Sequence, residues 1–396
     1  MEFSEKNSKN ILISTVVIDI LILAYFKYTF FILSNINSIL HMDYTWKNIV
    51  LPLGISFYTF QAMSYPIDVY RKRVTVQKNL LLFATYISLF PQLIAGPIVR
   101  YSEIEDQLGN NKYSAQSISY GIERFVIGLA KKVLIANNIG LIWEHYSSAL
   151  SSGISFLGAW LGIISFTLQI YFDFSGYSDM AIGLGKMLGF DFPENFNFPY
   201  MSKTITEFWR RWHITLGSWF RDYVYIPLGG NRKGIRRQLL NIMIVWALTG
   251  LWHGASWNFV IWGLYYAILL VLEKLLILKI SDKIPNIILH LYTILAVVFG
   301  WVIFQMTSID SLILYIESMF ANNVFLTQSD VFIVSGNAIL FLLALFFSTD
   351  TVYRITHKIP TKIIVIVKPI VIVLLVVSTT MYLVNDSYNP FLYFRF

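Results

Sequence analysis

From Leu239 to Leu272 the chain carries no Asp, Glu, Lys or Arg, yet His253 stands in the middle of the run. An ionisable side chain held in hydrocarbon is costly to keep, so it marks a functional site unless neighbouring helices satisfy both ring nitrogens. The run also constrains the path of the chain. Arg232, Lys233, Arg236 and Arg237 precede it, and Lys274, Lys279 and Lys283 follow it. Basic loops on both sides read as the same, cytoplasmic face, so the segment must enter and return. Its first arm, Leu239 to Trp252, rises about 20 Å at helical pitch against a hydrocarbon core of about 30 Å. Gly250 and Gly254 permit a sharp break there, and Ser256 can cap the returning helix. His253 is expected at the tip of this broken hairpin, where irregular backbone is tolerated only if it is buried in protein or lines a cavity.

The rest of the chain agrees with a membrane setting. With 56% hydrophobic and 13% charged residues, it is too apolar for a soluble domain. Apolar runs near 11–33, 48–66, 79–99, 154–174, 285–306, 331–348 and 363–384 are long enough to span, with more polar candidates at 119–142, 176–190 and 204–226. The first run has no small-residue cleavage site and reads as a span. We expect an all-α, polytopic transmembrane protein forming one membrane domain over residues 1–396. The net charge of +7 comes from short basic loops and not from a stripe on a polar face, so nucleic acid is not an expected partner. Cysteine is absent, which excludes disulfides and thiolate catalysis. No two histidines stand three or four apart and no HExxH occurs, so no metal site is expected.

Three further segments carry chemistry. Residues 208–230, FWRRWHITLGSWFRDYVYIPLGG, combine His213 with Trp209, Arg210, Arg211, Trp212, Trp219, Arg221 and Asp222. Such a segment is either an interfacial helix anchored by Trp and Arg, or a buried or re-entrant helix that turns its arginines to an anionic ligand in a polar cavity. Residues 169–190 place Asp173 and Asp179 among apolar side chains. They serve either a proton relay or, as we favour, salt bridges to arginines such as Arg210 and Arg221. The spans at 51–65 and 90–103 are interrupted by Pro and Gly, as cavity-lining segments are. The remaining histidines, His41, His145, His290 and His357, read as loop or span-end residues.

Taken together, PLGISFYTFQAMSYPIDVYR from Pro52, FPQLIAGPIVRYSE from Phe90, YFDFSGYSDMAIG from Tyr171, FWRRWHITLGSWFRDYVYIPLGGNRKG from Phe208, GLWHGASWNFVIWG from Gly250 and NPFLYFRF at the C-terminus resemble the membrane-bound O-acyltransferase family. The YIPLGGNRKG element is similar to the alginate O-acetyltransferase branch more than to the teichoic-acid D-alanylation branch. The resemblance implies broken helices around a central tunnel. It implies acyl transfer from a cytoplasmic thioester, such as acetyl-CoA, to a hydroxyl for O-acetylation of an extracellular or cell-wall polysaccharide. It also implies a bacterial cytoplasmic-membrane location among membrane lipid, a separate extracytoplasmic acetyltransferase and polysaccharide synthesis machinery. His253 matches the catalytic histidine of the family and His213 the second histidine of its bacterial members. On this reading Trp209 or Trp212 packs His213, Trp209, Trp212, Arg210 and Asp222 belong to the tunnel, and Arg232 and Lys233 meet the donor phosphates. Relatives carry further spans upstream of the segment that matches Ile11 to Phe31, which this sequence lacks. The rival readings are D-alanine transfer from a carrier protein to teichoic acid, and a proton-coupled transporter or flippase using Asp173 and Asp179.

Overall fold

The computed structural model describes residues 5–42, 44, 49–321 and 323–385. Among them there are helices and loops and no strand; the NPFLYFRF motif lies outside them. Seven helices are long and apolar enough to cross a membrane: Asn7–Leu40, Ala115–Ser148, Phe156–Met187, Trp257–Lys283, Asn286–Gln305, Gln328–Phe347 and Thr361–Val384. The chain is a multi-pass membrane protein.

In chain order, α1 runs over Glu5–Leu40, α2 over Ile55–Tyr70, α3 over Ala115–Ser148 and α4 over Phe156–Met187. The short pair α5, Ile205–Arg211, and α6, Ile214–Phe220, precedes α7, Gly234–His253, and α8, Trp257–Leu272. Then come α9, Asn286–Gln305, α10, Ile309–Phe320, α11, Gln328–Phe347, and α12, Thr361–Asn385. The expected span at 79–99 is absent: Asn79 caps a helix that ends at Ser88, and the chain then breaks into a short turn of helix and an extended segment. The Pro and Gly content that suggested a cavity wall prevents a continuous helix there. Residues 154–174 and 176–190 form one helix, α4, because Gly176 is used for packing and not for a bend. A Cβ there would stand 2.7 Å from the Gly128 carbonyl oxygen of α3.

α4 is the central post. Two-thirds of its most apolar window is buried, against 6% for α1 and for α12, whose Ile, Leu, Val and Phe side chains point outward toward lipid. Asp173 and Asp179 sit inside this core and are held in ion pairs, as expected, but with other partners. Asp179 meets Arg124 at 2.7 Å and Lys131 at 2.6 Å, and Asp173 pairs with Lys132. Arg210 and Arg221 are not the partners. The reason lies in α3, where a π-helical turn at Lys131–Ala136 inserts an extra residue per turn. Two consecutive lysines thereby reach carboxylates six positions apart on α4. Both acids are consumed in structural pairs, which leaves the transporter reading without its coupling groups.

The broken hairpin is present: α7 ends at His253 and α8 begins at Trp257. Gly250 does not make the break. It lies within α7, where the two arms touch, and a Cβ there would be 2.4 Å from the Phe259 carbonyl oxygen; at Gly263 it would be 2.6 Å from that of Trp246. Ser256 takes the capping position, but its hydroxyl turns to the Asn258 side chain and makes no cap bond. Asn258 in turn donates to the Phe304 carbonyl at 2.8 Å, tying the start of α8 to the end of α9.

Candidate active site

His253 is 6% exposed and is walled by Trp252, Trp262, Phe304 and Phe259, with ring centroids 4.9–6.5 Å away. The last turn of α7 leaves carbonyls without helical partners, and α1 supplies them. Lys27 donates to the Trp252 carbonyl, to the His253 carbonyl at 3.4 Å and to Ser56 Oγ at 2.9 Å. Tyr28 Oη donates to the Leu251 carbonyl at 2.6 Å, and Trp257 Nε1, just past the break, donates to Asn35 Oδ1 at 3.0 Å. A cation at a helix C-terminus is also favoured by the helix dipole. Lys27 and Tyr28 escaped the sequence reading, although Lys27 is an ionisable residue in an apolar run, the same signal that singled out His253.

His213 occupies a second helix break. α5 is started by the Thr204 side chain and by Glu273, a fully buried carboxylate that accepts from Ile205 N and Thr206 N at 2.7 Å each. It ends at Trp212, and His213 adopts a left-handed conformation, φ 46° and ψ 54°, before α6 begins. That conformation is disfavoured for a side chain with a Cβ. The loop beside it compensates by bonding both flanks: Ile214 N donates to the Asn195 carbonyl and Asn197 N to the Arg211 carbonyl, each at 2.9 Å. The histidine ring is 2% exposed, and its Nδ1 is 3.1 Å from Asn195 Oδ1. Its Nε2 is buried and has no hydrogen-bond partner among the described residues.

Both histidines line one cavity of about 520 Å³, together with Trp209, Arg210, Trp212, Arg221, Trp246 and Thr249. His253 also lines a smaller cavity of about 150 Å³, with Lys27, Gly54, Phe57, Ile94 and Trp252. Gly54 is needed there: its φ is +76°, and a Cβ would come within 2.4 Å of the Leu93 carbonyl oxygen. The site is therefore a histidine that borders two spaces, with a second histidine on the wall of the larger one.

The other sequence candidates fall in different places. Arg210 and Arg221 are exposed at the rim of the larger cavity, and Arg210 has no acidic partner among the described residues. Trp209 and Trp212 line it, but neither stacks on His213. Trp209 packs on Trp246, Tyr266 and Trp262, and Trp212 on Phe208, Trp301 and Phe196. Phe174, Trp252 and Phe57 pack His213 instead. Asp222 is off the cavity wall, bonded by Arg100 and Arg221 at 2.7 Å each. Burial would raise its carboxyl, but the hydrogen bonds from Arg221 and Arg100 outweigh this and hold it below its ordinary value. Arg232 and Lys233 are exposed in the turn before α7 and touch neither cavity. No cluster of metal-ligating side chains occurs among the described residues.

Comparison of the sequence with known proteins identifies its family. A protein of Pseudomonas putida named as a probable alginate O-acetylase is 39% identical over 96% of this chain and 83% of its own length. A peptidoglycan O-acetyltransferase of Helicobacter pylori is 37% identical over 79% of the chain, and a teichoic acid D-alanyltransferase of Bacillus subtilis is 31% identical over 56%. The chain spans less than two thirds of the length of these last two, 65% and 59%. The sequence model of the membrane-bound O-acyltransferase family matches residues 22–316, which include both histidines, both helix breaks and Lys27, and the chain belongs to this family of acyltransferases.

Proposed function

We propose that this protein moves an acetyl group from a cytoplasmic thioester, acetyl-CoA or an acyl-carrier thioester, to a hydroxyl acceptor for O-acetylation of an extracellular or cell-wall polysaccharide. The observation that carries the reading is His253, a buried imidazole at a helix break that borders two cavities. Two reactants can approach it from separate spaces, as transfer across a membrane requires. The similarity to alginate and peptidoglycan O-acetylases supports acetyl over D-alanyl as the group moved.

In the reaction, neutral His253 takes the proton of the acceptor hydroxyl as its oxygen attacks the thioester carbonyl. The tetrahedral intermediate expels the thiolate, which receives a proton from the imidazolium and leaves as thiol. His213 faces the same space and positions the acceptor. Arg210, which borders the larger cavity, meets phosphate groups of the donor in this reading, with Arg232 and Lys233 in the turn before α7 as the further candidates. The protein works in a bacterial cytoplasmic membrane, as one membrane domain, with a separate extracytoplasmic acetyltransferase and the polysaccharide synthesis machinery as partners.

Membranes containing the protein and the products of its neighbouring genes, offered radiolabelled acetyl-CoA or a labelled D-alanyl carrier thioester, test this reading. Label is expected in polysaccharide from the acetyl donor. Transfer from the D-alanyl carrier alone would overturn it.

A further inference from the structure

Resting on the reading above, we infer that Asn195 is a positioning residue that fixes His213 as the Nδ1–H tautomer, so that His213 enters the reaction as a hydrogen-bond acceptor through Nε2. The orientation of the Asn195 amide decides this. Its Oδ1 accepts from Thr215 N at 3.3 Å and from Thr215 Oγ1 at 2.9 Å. The Thr215 hydroxyl itself accepts from Ile98 N at 2.9 Å, which leaves its proton for Asn195. The amide nitrogen donates to Ser178 Oγ at 3.1 Å. Turning the amide over would set its NH₂ against the Thr215 N–H, donor against donor. Oδ1 therefore faces His213 Nδ1, 3.1 Å away, and that nitrogen carries the proton. Asn195 is fully buried, so no solvent competes for these bonds.

In the neutral ring the lone pair then lies on Nε2, the atom left without a partner, on a side chain that lines the larger cavity. A lone pair cannot stabilise an oxyanion. It accepts from a donor on the acceptor molecule, and the reacting hydroxyl has only one proton, which goes to His253. The acceptor accordingly carries a second donor beside the reacting hydroxyl, as the vicinal hydroxyls of a sugar do. The donor to the oxyanion must come from elsewhere on the wall, where the buried Trp209 Nε1–H has no partner among the described residues.

Two variants test this, with acetyl transfer measured across pH. The ring of His213 is packed by Phe57, Phe174 and Trp252, and the charged or titratable groups on its cavity wall are His253, Arg210 and Arg221. Asn195→Asp keeps the size and the acceptor to Nδ1, and Ser178 can rotate to donate to it. Its charge favours the imidazolium and removes the Nε2 lone pair at low pH, so the acidic limb of kcat/KM should move up by about one unit or more. If His213 instead donated to an oxyanion as the imidazolium, the same variant would leave the acidic limb in place and extend activity to higher pH. Asn195→Leu removes the lock and should lower kcat about tenfold or more with the donor KM little changed. An acidic limb that stays in place or moves down in Asn195→Asp, or wild-type kcat in Asn195→Leu, overturns the inference. His253→Ala measured alongside separates the two claims: activity there sinks the site as a whole, whereas its loss beside indifferent Asn195 variants sinks only the role of Asn195.

Discussion

The two histidines stand at two helix breaks that are held in opposite ways. At the α7–α8 break the backbone is secured: Lys27 and Tyr28 of α1 bind the last carbonyls of α7, and Asn35 receives Trp257 across the gap. At the α5–α6 break a side chain is secured, with Asn195 holding the ring of His213 while its own carbonyl takes up Ile214 N. The first arrangement fixes where an imidazole sits. The second fixes which of its nitrogens bears the proton. A group that must gain and lose a proton needs the former, and a group that only orients a partner benefits from the latter.

The largest effect should come from the first histidine. His253→Ala removes the proposed general base, and acetyl transfer in membranes is expected to fall by about 10²–10⁴-fold. A near wild-type rate would end its assignment. The support beneath it should matter less. Lys27→Met keeps the stem but leaves two α7 carbonyls unbonded, so kcat should drop about 10- to 100-fold through misplacement of the ring. Tyr28→Phe loses one bond, worth about 1 kcal/mol, visible as a small fall in the thermal transition in detergent. If Lys27→Met is harmless while Tyr28→Phe is not, the ammonium is not what holds the break.

The smallest catalytic effect is expected at Asp222. Asp222→Asn should leave kcat near wild type and lower stability by about 1.5–3 kcal/mol at pH 7, because it weakens bonds from two arginines. The carboxyl of Asp222 is depressed in the fold, so its contribution is present above the ordinary value of about 4 and is lost as pH falls through the lower folded value. The stability gap between wild type and variant should therefore narrow as pH falls below about 4. A kcat that collapses without a change in stability would return Asp222 to the tunnel.

The same contrast explains what was legible in the sequence. The α7–α8 break advertised itself through an uncharged run with a histidine and glycines at its centre, and loop charge gave its path. The α5–α6 break has no Gly or Pro at Trp212–His213. It depends on backbone bonds from residues 195–197, which no local pattern encodes. Asn195 was hidden for the same reason, since its work is a tertiary contact. The ion pairs of Asp173 and Asp179 were expected, but their partners depend on a π-helical turn that carries no composition signal. Lys27 was legible and missed: near one end of an apolar run it passes for a snorkelling side chain, and only the approach of α1 to the last carbonyls of α7 turns its ammonium inward.

That contact has a consequence for assembly. α1 precedes the hairpin in the chain, yet Lys27 finds the Trp252 carbonyl 225 residues later. At about 5–20 residues per second this is a delay of roughly 10–45 s. Through that interval a lysine waits in or near the bilayer without its final acceptors, and the hairpin that arrives cannot set its bend until α1 meets it. A helix made early thus acts as the last fastener closed, and a newly made chain completes this break only when both ends of that interval have met.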